Sequence, residues 1–188
     1  MIDDWSVIDR KIGLENLQEK VLSDKKCREI DQRNPCVENV FSNMCLSKLM
    51  IIGQQPSYYG NRKEPFTGRD SFLFDKILNG LELSRREVYI TNVVKCVRKE
   101  RASSAVIDYW RDVLAREIEL VNPEIIAVLG AVAYHWFFPG NNFTADVGQL
   151  RQTLVRPIFV AFHPAYVIRK YMPFIPYAKT FEVIKKFL

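Results

Sequence analysis

Apolar residues along this chain follow two rhythms. Four short runs are continuous rather than alternating: Leu49–Ile52, Val88–Asn92, Ile125–Leu129 and Ile158–Phe162. Runs of this kind predict parallel strands covered on both faces. Between them the period lengthens to that of a helix. Residues Ser71–Leu81 turn Phe72, Phe74, Ile77, Leu78 and Leu81 toward a core. Ser104 offers an N-cap for one long helix carrying Ile107, Trp110, Leu114, Ile118 and Val121, closed before Pro123. Ala131–Phe138 predicts a shorter helix, ended by Pro139-Gly140-Asn141-Asn142, and Leu14–Leu22 and Tyr177–Leu188 predict helices near the two ends. Cys27–Leu46 is polar and irregular and reads as a segment wrapping the rest. Strands alternating with helices predict a three-layer α/β/α domain around a central four-stranded parallel sheet. One domain over 1–188 is expected, with 1–46 as N-terminal helix and wrapping segment and 47–188 as the α/β core.

Composition narrows this little. With 48% hydrophobic and 26% charged residues, the chain of 188 is ordinary for one globular domain. No apolar run is long enough to span a bilayer, and Met-Ile-Asp-Asp-Trp is not a signal peptide, so a cytoplasmic, intracellular location is expected. A net charge of +5 permits a polyanionic partner but equally describes a solvated surface. Cys27, Cys36, Cys45 and Cys96 are widely spaced with no C-x-x-C pair, which argues against a disulfide framework and leaves buried thiols or a metal site.

The chemistry-bearing residues cluster where the predicted strands end. Gly53-Gln54-Gln55-Pro56-Ser57 follows the first strand, Asn92–Arg101 ends the second, and His163-Pro164 ends the fourth. All belong to the carboxyl edge of the sheet, where ligands gather in such folds. Asn92 is either a turn former or an amide that reads a nucleobase edge. Phe66 is either a core plug or a stacking platform. Lys95, Arg98, Lys99 and Arg101 form a basic run suited to phosphates, or merely a solvated one.

These pieces together carry a resemblance. Gly53-Gln-Gln-Pro-Ser57, Pro65-Phe-Thr-Gly-Arg69, Val88-Tyr-Ile-Thr-Asn-Val-Val-Lys-Cys96, Pro123-Glu-Ile-Ile-Ala-Val-Leu-Gly130 and Phe162-His-Pro-Ala165 appear in the order and near the spacing of the uracil-DNA glycosylase superfamily. The chain most resembles the iron–sulfur, family-four type, from about Lys20 to its end. The resemblance implies that Phe66 stacks on an extruded base and Asn92 bonds the uracil edge. It implies that His163 steadies charge on the uracil 2-oxo group, and that Gly53, Gln54 and Gln55 line the base and the attacking water. Tyr166 to Tyr171, with Arg169 and Lys170, correspond to the loop that enters the DNA minor groove. DNA containing uracil or a related deaminated base is the implied partner, met by a monomer.

Two departures stand out. The family-four first motif reads Gly-Glu-Ala-Pro-Gly, so Gln54 stands in place of a carboxylate and cannot supply negative charge. A related branch captures DNA covalently through a histidine, but Val97–Ser104 contains none. Cys27 and Cys96 match two of the family's four cluster cysteines, Asp24 and Trp110 occupy the other two places, and Cys36 is a conceivable replacement. A cluster normally takes four thiolates, so none is expected here. The reading is a glycosylase of altered or slow turnover, against a binding protein of the same fold or a nucleotide-binding domain with no DNA role.

Overall fold

The computed structural model describes residues 6–24, 47–56, 66–67, 71–97, 100–169 and 172–188. Its elements in chain order are α1 (Val7–Leu22), β1 (Leu49–Gly53), α2 (Ser71–Gly80), β2 (Tyr89–Asn92), α3 (Ser104–Tyr109) and α4 (Arg111–Val121). After these come β3 (Ile125–Leu129), α5 (Ala131–Phe137), α6 (Phe143–Asp146), β4 (Leu150–Arg151), β5 (Ile158–Ala161), α7 (Ala165–Ile168) and α8 (Phe174–Thr180). A 3-10 helix, Phe181–Phe187, closes the chain.

The sheet order is β2-β1-β3-β5-β4. β1, β2, β3 and β5 run parallel, and β4 pairs antiparallel with β5. The sheet therefore has five strands where the apolar pattern predicts four. The added edge strand is two half-buried residues long, too short to leave a periodic signal.

From β1 the chain crosses to β2 on one side, then returns past β1 to β3 on the other. Right-handed crossovers then require helices on opposite faces of the sheet. Accordingly Phe74, Ile77 and Leu78 of α2 pack with Leu49, Ile51, Val88 and Ile90, joined by Tyr177, Phe181 and Ile184 from the C-terminal helices. Leu114 and Leu120 of α4 and Tyr134 of α5 pack with Met50, Ile52, Tyr89 and Val128, joined by Leu14, Leu17 and Val21 of α1. Every residue of the four parallel strands is buried, which is why their apolar runs are unbroken. Each buried large apolar side chain stabilises the fold by about 1.5–3 kcal/mol.

Several predicted details differ: α3 is capped by Ser103 rather than Ser104, and α1 begins at Val7 rather than Leu14. Phe72 is 53% exposed rather than core, because it lies two residues, roughly 200° of helix, from Phe74. The long helix is broken at Trp110, whose backbone (φ −91°, ψ 1°) tightens to an i→i−3 bond with the Ile107 carbonyl. The C-terminal helix starts earlier, at Phe174, and finishes as 3-10 rather than α.

Candidate active site

Gly53 and Asn92 are register partners at the carboxyl ends of β1 and β2. The pairing runs on into the loops, with Val93 N–H donating to the Gly53 carbonyl and Val94 N–H to that of Gln54, both at 2.9 Å. Glycine is required at 53 by close approach. A Cβ there would lie 2.5 Å from Phe66 Cζ and 2.6 Å from Asn92 Oδ1. The missing methyl group is thus what lets an aromatic ring and a buried amide meet over one backbone position.

Phe66 holds its backbone in the left-handed region (φ 57°), a conformation costing a non-glycine residue about 1–2 kcal/mol. Arg85 holds it there. Its Nη2 donates to the Phe66 carbonyl at 2.9 Å, its Nε to Asp75 Oδ1 at 2.5 Å, and its guanidinium lies 5.0 Å over the Phe74 ring. The Phe66 ring lies 5.0 Å from Phe74 (25° between planes) and 5.6 Å from His163 (21°), giving a near-parallel stack of three rings. Inserting a planar base between two rings needs about 7 Å, twice the stacked carbon contact distance. At 5.6 Å the space between the Phe66 and His163 rings, as they stand, is too narrow for a third ring.

His163 follows β5, one residue after Phe162, whose carbonyl accepts from the Tyr177 hydroxyl at 2.7 Å. Gly130 (φ 91°, ψ 165°) passes beneath its Cβ in a conformation essentially reserved for glycine. The Ala165 N–H donates to His163 Nδ1 at 3.2 Å, an arrangement that suits the neutral ring with its proton on Nε2.

The two glutamines separate in role. Gln54 is half-buried, and its Nε2 donates to Gln55 Oε1 at 3.2 Å. Gln55 Oε1 also accepts from Ala102 N–H at 3.2 Å, and its Nε2 donates to the Glu100 carbonyl at 3.1 Å. Gln55 thus ties the first loop to the segment after β2 through both ends of its side-chain amide.

Lys95 requires a correction. The basic run predicts a phosphate contact, but Lys95 is fully buried behind β2. Its Nζ is ion-paired to Glu117 Oε2 of α4 and donates to Thr91 Oγ1 at 2.8 Å and to the Asn92 carbonyl at 2.7 Å. Glu117 Oε1 accepts from the Tyr89 hydroxyl at 3.1 Å and the Thr91 hydroxyl at 2.9 Å. Burial pushes the lysine pKa down and the glutamate pKa up, and each is the other's main compensation. Both residues were signalled by their settings. Lys95 stands between Val93-Val94 and Cys96-Val97, and Glu117 falls on the stripe of Trp110, Leu114 and Val121. Arg85, by contrast, carries no local mark of its contact with Phe66, nor Asp75 of its bond to Arg85.

Of the remaining basic positions, Arg101 and Arg169 are exposed, while Arg98, Lys99 and Lys170 lie outside the described residues. Tyr166 is stacked on Phe162 at 4.1 Å with the planes 6° apart. Cys27, Cys36 and Cys45 also lie outside the described residues, and Cys96 is buried. At the two positions matching the family's other cluster cysteines, Asp24 Oδ2 accepts from the Tyr109 hydroxyl at 2.5 Å, and the Trp110 indole is 1% exposed in the core with its N–H unpartnered. An indole is not a metal ligand, so these donors do not make a four-thiolate set. Among the described residues, no group of three or more His, Cys, Asp or Glu side chains is arranged to hold a metal ion.

Phe66 and the Asn92 amide thus meet over Gly53, with the His163 ring stacked on Phe66, at the carboxyl edge of a parallel sheet. The family model of the uracil DNA glycosylase superfamily matches residues 41–188, and the chain belongs to that superfamily. It is similar to the type-4 uracil-DNA glycosylase of Thermotoga maritima, 27% identical over 134 residues, which is 65% of this chain and 67% of that protein. The type-4 enzyme of Archaeoglobus fulgidus is 27% identical over 67% of this chain and 64% of its own length. That of Sulfurisphaera tokodaii is 28% identical over 81% and 74%.

Proposed function

We propose that this chain is a uracil-DNA glycosylase, releasing uracil or a related deaminated base from DNA by hydrolysis of the N-glycosidic bond. The observation that carries the reading is the meeting of Phe66 and Asn92 over Gly53, with the His163 ring stacked on Phe66. The base leaves the duplex, displaces the His163 ring and stacks on Phe66. The Asn92 amide accepts from uracil N3–H and donates to its 4-oxo group. Cytosine, with donor and acceptor exchanged at those atoms, is refused. His163 Nε2–H then donates to the 2-oxo group as the departing base becomes an anion, a group aimed at charge that develops only in the transition state.

Gln54 orients water through its amide without lending charge to the oxocarbenium-like sugar, so turnover is slow. Arg101 and Arg169 meet phosphates of DNA, with Arg98, Lys99 and Lys170 as further contacts, and Tyr166 serves the groove-entering loop. No iron–sulfur cluster is assigned. Purified protein is expected to lack a visible-region cluster absorption and stoichiometric iron and sulfide, and finding both overturns that assignment. No helix among the described residues is long and apolar enough to cross a membrane.

The neutral first motif favours one second reading, a protein that binds uracil-bearing DNA without cutting it. The test is an end-labelled oligonucleotide with a single uracil, presented as U:G, U:A and single strand, then treated with alkali. Strand breaks at the uracil support the enzyme. Retained affinity with no abasic product from any substrate selects the binding protein instead.

A further inference from the structure

We propose that the buried Lys95–Glu117 pair is the positioning group for Asn92, holding the last peptide of β2 so that the Asn92 amide presents its edge to the base. The proposal rests on the glycosylase reading above. It starts from one peptide unit, Asn92–Val93, which is held at both ends. Its carbonyl accepts from Lys95 Nζ at 2.7 Å, and its N–H donates to the Gly53 carbonyl at 2.9 Å. Whatever fixes Lys95 therefore fixes the spacing between Asn92 and Gly53, over which Phe66 lies.

Glu117 is what fixes Lys95. Its carboxylate pairs with Nζ and takes the hydroxyls of Tyr89 and Thr91, so two alternate side chains of β2 are gathered onto one residue of α4. Thr91 Oγ1 also accepts from Nζ at 2.8 Å, closing a ring of bonds behind the strand end. The side chains of Tyr89, Thr91 and Lys95 face α4, while that of Asn92 faces Gly53 and Phe66 on the other side. The network thus grips the backbone of Asn92 and leaves its amide unobstructed by the pair.

Stability alone does not account for this arrangement. A buried ion pair is commonly no better for stability than apolar residues of equal volume, because desolvating two charges offsets their attraction. Apolar residues supply no directed bonds, and a strand end at a sheet edge has no further ladder to hold its final carbonyl. A misplacement of about 1 Å at a reacting group can cost on the order of 100-fold in rate.

The test compares the parent with Lys95→Met/Glu117→Met on a uracil-containing duplex, measuring kcat, KM and thermal midpoint. The expected result is a thermal midpoint kept or raised, KM within about twofold, and kcat lower by about tenfold or more. An unchanged kcat overturns the proposal, as does a loss confined to KM or a kcat loss that merely follows unfolding. Should the double variant fail to fold, Thr91→Val decides, since it removes one hydroxyl at constant shape. Slower turnover in a folded Thr91→Val supports the network, and parental turnover overturns it. A parent that releases no uracil overturns both this proposal and the glycosylase reading, whereas an active parent with an equally active variant overturns this one alone.

Discussion

The two faces of the β2 end are built on opposite principles. On the front face, Asn92 and Phe66 meet over Gly53, and Phe66 and His163, each half-buried and brought by a different loop, are held by ring contacts near 5 to 5.6 Å. On the rear face, Tyr89, Thr91, Lys95 and Glu117 are wholly buried and joined by short directed bonds. Ring stacks slide and part at small cost, whereas buried charges relinquish a partner only at large cost. The front is therefore the face that yields, and the rear is the face that does not.

Breaking the rear face has the largest expected effect. Lys95→Met alone strands the Glu117 carboxylate among apolar groups and should cost about 3–5 kcal/mol in denaturant unfolding. Replacing both partners should recover most of that, so a stable single variant refutes the contrast between the faces. Next comes the front face. His163→Ala should lower kcat by about 100- to 1000-fold, the usual consequence of removing one donor to a developing anion, while thermal unfolding stays near the parent.

Gly53→Ala tests the line between the faces. The added methyl group meets only side-chain tips, so it should displace Phe66 and Asn92 and lower kcat/KM by about tenfold, with a smaller loss of stability. The smallest effect is expected at Gln54. A glutamate there would set its carboxylate against Gln55 Oε1, which is already oriented by Ala102 N–H. Gln54→Glu should consequently gain little, and Gln54→Glu/Gln55→Ala should turn over faster than either Gln54→Glu or the parent. Equal rates in the single and double variants would show that Gln55 does not restrain the position.

Much of this was legible in the chain itself. Unbroken apolar runs predict doubly covered parallel strands because burial on both faces removes any need to alternate. Strand ends at a single edge predict the meeting of Gly53, Phe66, Asn92 and His163, since parallel topology sends every such end the same way. Side-chain direction was not legible. Lys95 reads as one of a basic run when its charge is weighed above its apolar flanks, and sequence spacing does not say that its ammonium is carried back beneath the strand to Glu117. For Gln55, nothing local reveals the segment at 100–102 to which its side chain is bonded. Arg85 is silent altogether, since its partner carbonyl is 19 residues away.

The sequence by itself determined the class of fold and the sheet edge at which Gly53, Asn92 and His163 gather, because these follow from local periodicity and chain order. Only the tertiary structure decided which charges face solvent, which amides are already committed, and that a buried pair stands behind Asn92. Those outcomes depend on contacts between residues far apart in the chain, whose energies exist only once the helices have closed over the sheet.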